Sequence, residues 1–182
     1  MPTDPSAGAR FTIEPFDPKT QDRAAFGCGV GQIDNYLKLT AKKGAKADMV
    51  RIWVVLDDAR RILGFYAINM HSVMAAEMPA SLARKALGHG VLPAAFISMI
   101  GVDLSMQGQG LGSALLADAL SRIGRVSEEI GTCAVLLDVF DCGDAGQVAR
   151  RKRYYESFGF IALPDQPLRL FMPIQTVRAL SG

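Results

Sequence analysis

The chain has 182 residues, of which 49% are hydrophobic and 21% charged, and its formal net charge is +2. This composition excludes a disordered chain, and so small a net charge does not by itself predict nucleic-acid binding. Three unevenly spaced cysteines and only two histidines argue against a disulfide framework and a structural metal site, and no apolar run is long enough for a membrane helix. We expect a flexible polar tail over residues 1–10, a single domain over residues 11–182, no metal, no membrane contact and a cytoplasmic location.

The first half of the chain predicts a strand, a helix and a hairpin. Alternation over Phe11–Phe16 predicts the first strand, and apolar residues at helical spacing predict a helix over Ile33–Ala47. Two β-branched and aromatic runs, Val50–Leu56 and Arg61–Val73, are separated by a short polar turn, which is typical of a β-hairpin. A short helix is predicted over Ser81–Gly88, with its first serine as the N-cap.

The second half alternates strands with helices. Ala94–Leu104 is nearly all apolar, as expected of a central strand, and Leu111–Gly124 carries one broad apolar helical face. Cys133–Phe140 predicts a buried strand, Gln147–Gly159 a helix that ends at its glycine, and Leu168–Ile174 a strand that closes the sheet. The order of these elements indicates an α/β domain with a mixed sheet and helices on both faces.

Three glycines at alternate positions separate the predicted central strand from the next helix. They are Gly108, Gly110 and Gly112. The N-terminus of a helix has unpaired N–H groups and a partial positive charge, and glycine lets an anion approach those groups closely. This layout predicts a seat for a phosphate or pyrophosphate, and the simpler alternative is a tight strand-to-helix turn.

Two familiar nucleotide-binding loops do not fit. A Walker loop would continue into Gly-Lys-Ser/Thr, and no lysine follows here. A nicotinamide-binding loop would read G-x-G-x-x-G in the first strand–helix unit, whereas this G-x-G-x-G string follows a hundred residues of chain. Asp138 in the next strand is the one feature that favours a dinucleotide, and we reject both loops.

The string Gln107–Gly112, Q-G-Q-G-L-G, resembles the Q/R-x-x-G-x-G/A loop of the GNAT acetyltransferase family. Tyr154–Phe160, Y-Y-E-S-F-G-F, resembles the family's Y-E-x-x-G-F near the C-terminus, so the resemblance covers residues 50–173. It implies a GNAT fold, with a mixed central sheet of six to seven strands, helices on both faces and a splayed central strand pair.

The same resemblance implies acetyl-CoA as the cosubstrate. In the family, amides of the glycine loop hold the pyrophosphate, and the strand before the loop pairs with the pantetheine arm. The cofactor-binding residues that it implies are Ile100, Val102, Gln107, Gly108, Gln109, Gly110, Gly112 and Ser113.

A tyrosine is the expected catalytic residue. Acetyl transfer needs a proton for the departing thiolate, and a phenol with a pKa near 10 can supply it. By resemblance, Tyr155 matches the family's general acid, four residues before Gly159; the alternative is an ordinary core aromatic packed on Phe158. Tyr154 points about 100° away on the same helix, so we expect only one of the two tyrosines to face the cofactor. No general base stands out, and an α-amino group with a pKa near 8 is already partly neutral.

Phe26–Ala41 resembles the F-x-C-G-x-x-x-L-D-x-Y/W-L opening of the GNAT toxins of bacterial type II toxin–antitoxin systems, and Ile62–Val73 resembles a second segment of them. This resemblance implies acetylation of the α-amino group of aminoacyl-tRNA, a ribbon-helix-helix antitoxin and a homodimer. The segment before Tyr155 is longer than in those toxins, and Asp141 falls where they have an asparagine.

Two basic clusters suit a polyanionic substrate, although each is also typical of a solvated helix face. The candidate tRNA-binding residues are Lys38, Lys42, Lys46, Arg150, Arg151 and Arg153. We therefore expect an acetyl-CoA-dependent N-acetyltransferase that acts as a toxin on aminoacyl-tRNA. The alternatives are a GNAT enzyme for a small-molecule amine or a protein N-terminus, and a CoA-binding or DNA-repressing module without turnover.

Overall fold

Seven strands form one mixed sheet in the computed structural model, which describes residues 12–181. The sheet order is β1-β2-β3-β4-β5-β7-β6; β4 and β5 run parallel, and the other neighbouring strands run antiparallel. The strands are β1 (Ile13–Pro15), β2 (Arg51–Leu56), β3 (Ile62–Met74), β4 (Val91–Val102), β5 (Ala134–Asp138), β6 (Ile161–Leu163) and β7 (Gln166–Pro173).

The helices are α1 (Gly31–Asn35), α2 (Ala41–Lys46), α3 (Ala80–Ala83), α4 (Leu111–Val126), α5 (Ala145–Ser157) and α6 (Ile174–Ser181). A π-helical turn, Tyr36–Thr40, joins α1 to α2 and interrupts the helix predicted there. Within residues 12–181, no helix combines the length and the apolar character needed to cross a membrane.

Most of the predicted elements are confirmed. The hairpin is formed by β2 and β3, and α4 and α5 lie where the apolar pattern and the closing glycine placed them. The tail over residues 1–10 and the start of the first predicted strand lie outside the described residues.

Two local predictions are wrong. Ser81 does not cap α3, because Pro79, whose fixed φ suits entry into a helix, takes that position, and the helix ends at Ala83. The last predicted strand does not close the sheet, since β6 pairs outside β7 and forms the edge. A strand as short as β6 has too few residues to show a period.

The two faces of the sheet are covered differently. On the first face, α4 and α6 pack over one continuous core that includes Leu115, Leu116 and Val177. On the second face there are two separate cores. One lies under α1 and α2 around Leu37 and Phe65, and the other lies under α3 around Leu82.

The central pair of strands separates part of the way along. β4 and β5 pair only over Ala94–Ile97 and Ala134–Leu137, while β4 continues to Val102. β5 ends sooner, and the amide of Val139 donates to the carbonyl of Leu168 on the β7 side. A bulge at Ser98, opposite the step between Ala67 and Ile68, marks the same point. The predicted splayed pair is therefore confirmed.

Candidate functional site

A cavity of about 730 Å³ lies where β4 parts from its neighbour. Its floor is the free end of β4, and its walls are the N-terminal turn of α4, one face of α5 and the segment from Cys28 to Ile33. The splay therefore opens into a site that three helices surround. The cavity brings together most of the residues that the sequence predicted for a functional site.

The glycine loop presents its backbone to this cavity. Gly108 and Gly110 have φ values of +77° and +83°, which side-chain-bearing residues rarely adopt. Among the described residues, no backbone amide from 107 to 113 donates a hydrogen bond, and the amide of Ala114 is the first in α4 to do so, to Gly110 O at 3.1 Å. These free N–H groups and the helix dipole make the loop suitable for an anion.

The two glutamines of the loop serve a different purpose with their side chains. Gln107 Nε2 donates to Cys28 O at 2.9 Å and to Val102 O at 3.1 Å. Gln109 Nε2 donates to Ser105 O at 2.9 Å. The side-chain amides therefore hold the loop in shape, and what these residues offer to a ligand is their backbone.

Asp103, which the sequence analysis missed, holds the turn between β4 and the loop. One carboxylate oxygen accepts from the Gly27 amide at 2.9 Å, and the other accepts from the amide and hydroxyl of Ser105 at 3.0 and 2.6 Å. Burial raises its pKa, but the hydrogen bonds from Ser105 and Gly27 outweigh that effect and lower it. The sequence signal for this turn was an Asp at the end of a predicted strand, two residues before a Ser, because an Asp side chain often binds the backbone N–H two residues on.

The free end of β4 supplies the floor of the cavity. Ile100 and Val102 line it, and both residues pair with β3 on their other side. Gly101 lies between them, and a Cβ there would lie 2.9 Å from Ile33 and 3.1 Å from Phe65. Only glycine at this position allows α1 to pack so close to β4.

Tyr155 lies at the cavity with its ring half-buried against Phe160, 6.4 Å between ring centroids. Its hydroxyl has no hydrogen-bond partner among residues 12–181, and no fully buried side-chain nitrogen or oxygen lacks a partner there. The hydroxyl is therefore open to the cavity. Burial of the ring raises the pKa of Tyr155 to about 12.

Tyr154 borders the same cavity as Tyr155. Its hydroxyl lies 3.1 Å from the hydroxyl of Ser113 in the first turn of α4. Because α5 crosses the opening, neighbouring positions on it reach two parts of one cavity. Tyr154 lies at the glycine-loop end.

The basic residues divide into three groups. Arg150 and Arg151 line the cavity, and Arg151 also donates to Phe140 O at 3.5 Å. Arg153 is exposed on α5 but does not line the cavity. The lysines lie on the π-helical turn and α2, with Lys38 half-buried and Lys42 and Lys46 exposed.

The lengthened segment before α5 folds into its own turn. Asp144 caps α5 by accepting from the Gln147 amide at 3.1 Å, while Asp141 accepts from the Gly143 amide at 2.9 Å. Neither aspartate lines the cavity. Within residues 12–181, no cluster of three or more His, Cys, Asp or Glu side chains could hold a metal ion.

Comparison with known proteins identifies the family of this chain. Residues 48–162 match the model of the acetyltransferase (GNAT) domain. The chain is 48% identical over 178 residues to the “Probable toxin TacT” of Sinorhizobium fredii, which covers 97% of this chain and 98% of that protein. It is 31% identical over 161 residues to the tRNA-acetylating toxin of Mycobacterium tuberculosis, covering 88% of this chain and 91% of that protein.

Solved structures share the fold. The structure of AtaT complexed with acetyl-methionyl-tRNAfMet has a TM-score of 0.81 at 22% identity, over 94% of this chain and 99% of that one. A tyrosine-to-phenylalanine mutant of AtaT, bound to the C-terminus of the antitoxin AtaR and acetyl-CoA, has a TM-score of 0.76 at 21% identity, over 93% and 97%. The splayed sheet, the open glycine loop and the matched domain agree, and the chain belongs to the GNAT acetyltransferase family.

Proposed function

We propose that this protein is a toxin that transfers the acetyl group of acetyl-CoA to the α-amino group of aminoacyl-tRNA, which blocks translation. The observation that carries the proposal is the run of free backbone amides from 107 to 113, which lies beside the unpaired end of β4. The 48% identity of the chain to a probable toxin supports it. The 31% identical relative, a tRNA-acetylating toxin, supports the choice of acceptor.

The donor half of the site would hold acetyl-CoA along the splay. The backbone of Gln107, Gly108, Gln109, Gly110 and Gly112 and the hydroxyl of Ser113 would receive the diphosphate, because those amides are free and the glycines have no Cβ to hinder a ligand. The free edge of β4 at Ile100 and Val102 would pair with the amides of the pantetheine arm, as an additional strand does.

In the reaction, the neutral amine of the acceptor attacks the thioester carbon. A backbone N–H of the free end of β4 polarises the carbonyl, the C–S bond breaks, and the sulfur leaves as a thiolate. The nitrogen loses its proton to water, and Tyr155, whose hydroxyl is open to the cavity, donates a hydrogen bond to the thiolate. Tyr155 is thus the proposed hydrogen-bond donor to the leaving group, in the place of the family's general acid.

The acceptor half would use the basic residues on either side of the opening. Arg150 and Arg151 lie at the mouth of the cavity, Arg153 extends that surface, and Lys38, Lys42 and Lys46 lie on the α2 side. A polyanion that touches both groups would place its reactive end between them.

Further parts of the proposal come from the toxin relatives. The antitoxin would be a ribbon-helix-helix protein that covers the basic surface, and the toxin would act as a homodimer in the cytoplasm, where its substrate is. Residues 11–182 would form the single catalytic domain.

Mass spectrometry of bulk charged tRNA after incubation with the protein and acetyl-CoA tests the acceptor. We expect an increase of one acetyl group on the aminoacyl moiety, and arrest of growth when the chain is expressed without an antitoxin. Acetyl-CoA turnover on polyamines or peptides with charged tRNA left unmodified would contradict the proposal. Calorimetry with coenzyme A tests the donor site separately.

A further inference from the structure

The second face of the sheet is only partly covered at its centre. The odd-numbered residues of β3 share this face because side chains alternate along a strand. Phe65 and Ala67 belong to the core under α1 and α2, and Val73 belongs to the core under α3. His71 lies on the same face of β3, between Ala67 and Val73, and is half-buried.

Four side chains, none of them fully buried, lie in a row across this face, and one of them, Phe96, packs against the core under α3. We name them the central row: His71 on β3, Phe96 on β4, Asp138 on β5 and Arg169 on β7. The Phe96 ring lies 5.3 Å from the His71 ring and 5.8 Å from the Arg169 guanidinium carbon. Arg169 binds Asp138 through two hydrogen bonds of 2.7 and 2.8 Å. Three planar groups and one carboxylate therefore stand side by side.

The central row begins where the cavity ends. Asp138 follows Leu137, the last β5 residue paired with β4, so it stands across the opening from the bulged Ser98. Ile100, on the cavity floor, is two residues further along β4, about 7 Å at the usual rise of a strand. None of its four side chains lines the cavity, and the row lies beside the unpaired end of β4, on the opposite face of the sheet from α4.

We propose that the central row receives the aminoacylated terminal nucleoside of the acceptor, with Asp138 binding the α-amino group and the planar side chains contacting the base. This assignment rests on the proposed function and names the part of the substrate nearest the reaction. Two of the four lone-pair positions of the Asp138 carboxylate are occupied by Arg169, and its side chain is 45% exposed, so the others can accept from an amine.

The chemistry of the three planar groups fits a nucleoside. Unpaired bases of RNA stack on aromatic rings and on arginine guanidinium planes. The rings of His71 and Phe96 are half-buried and their strands are central, which fixes their orientation before a ligand arrives. A purely structural role would be limited to the Asp138–Arg169 pair joining β5 to β7.

The test measures binding of 3′-aminoacylamido-3′-deoxyadenosine, a stable analogue of an aminoacylated terminal adenosine, by saturation-transfer NMR and calorimetry. The variant is D138N, which keeps the shape of the side chain. The matched control is D48N, because Asp48 also pairs with an arginine, Arg51 at 2.9 Å, far from the row in the fold. Thermal unfolding and calorimetry with coenzyme A accompany each variant.

We expect D138N to bind the analogue about ten- to a hundredfold more weakly, as loss of a hydrogen bond between charged groups does, with unchanged affinity for coenzyme A. D48N should match the wild type in both. F96L should weaken analogue binding about tenfold through loss of ring contact.

The proposal is overturned if the wild type does not bind the analogue at millimolar concentration, or if D138N binds it as the wild type does. It is also overturned if D138N loses thermal stability and coenzyme A affinity together, since that result assigns Asp138 a structural role. Acetylation of charged tRNA decides the proposed function independently. If the wild type acetylates tRNA but does not bind the analogue, the proposed function stands and the proposed role of the central row is wrong.

Discussion

Tyr155 combines an open hydroxyl with a raised pKa, and this combination restricts what it can do. Burial raises its pKa to about 12, so the phenol is protonated throughout the physiological range. Full transfer of its proton to the thiolate would be uphill, because a thiol is a stronger acid than this phenol. Hydrogen-bond donation to the leaving sulfur has no such cost, and we expect it to be the main contribution.

Replacement of Tyr155 by phenylalanine should therefore lower kcat by about 10²- to 10³-fold, the usual effect of removing one donor from a developing anion. The affinity for acetyl-CoA should change little. Y154F is the matched control, because it removes a hydroxyl that lies at the same cavity but is bonded to Ser113. Single-turnover acetylation measures both, and an equal loss in Y154F would contradict the assignment to Tyr155.

The pH dependence of the reaction follows from the same pKa. A group that must be protonated loses activity as pH rises through its folded-state pKa, which for Tyr155 is about 12 and not its ordinary value. The amine must be neutral, so kcat/KM should rise up to about pH 8 and then stay level. A fall near pH 10 in kcat/KM for aminoacyl-tRNA would show that Tyr155 titrates normally in the working enzyme.

Replacement of Gly110 tests whether the backbone conformation of the loop matters for coenzyme A binding. Its φ of +83° is unfavourable for a residue with a Cβ, although nothing lies within 4 Å of where that Cβ would be. G110A should therefore weaken coenzyme A binding by straining the loop, at a cost of about 1–2 kcal/mol. G131A is the control, since its Cβ would also meet open space and its φ is ordinary. Calorimetry should show unchanged affinity in G131A, and an unaffected G110A would exclude the loop as the seat.

At the scale of elements, the parts of the site that have a sequence signature were predictable. The strand, the alternate glycines and the apolar face of α4 indicated the position of the loop whose amides are free. The position of Tyr154 at the cavity was not predictable, because it depends on how α5 crosses the opening. The strand β6 and the N-cap of α3 were not predictable, because those segments are too short to show a period. Asp103 also escaped, since its partner Gly27 is 76 residues away in the chain.

Asp103 makes the connection between β4 and the glycine loop testable as a unit. D103A removes the acceptor for Gly27 and Ser105, and we expect a loss of about 1–3 kcal/mol in the free energy of unfolding together with weaker coenzyme A binding. D58A is the control, an exposed aspartate in the β2–β3 turn with no hydrogen bond or ion pair among residues 12–181. Urea unfolding should give a lower free energy of unfolding for D103A than for D58A. Equal stability of both variants would show that the turn does not depend on Asp103.

At the scale of the whole molecule, the distribution of charge matters more than its sum. The chain carries a net charge of only +2, yet Arg150 and Arg151 line the cavity, and Lys38, Lys42 and Lys46 lie together on the π-helical turn and α2. If these groups bind tRNA, the location of a charge change should decide its effect.

K42E combined with K46E should raise KM for aminoacyl-tRNA about tenfold or more and reduce its dependence on salt, with kcat unchanged. K19E combined with K85E changes the net charge by the same amount at exposed positions outside both groups, and its KM should stay near that of the wild type. Steady-state kinetics at several salt concentrations measures both variants. Equal increases in KM would mean that overall charge, and not the lysines on α2, governs the encounter with tRNA.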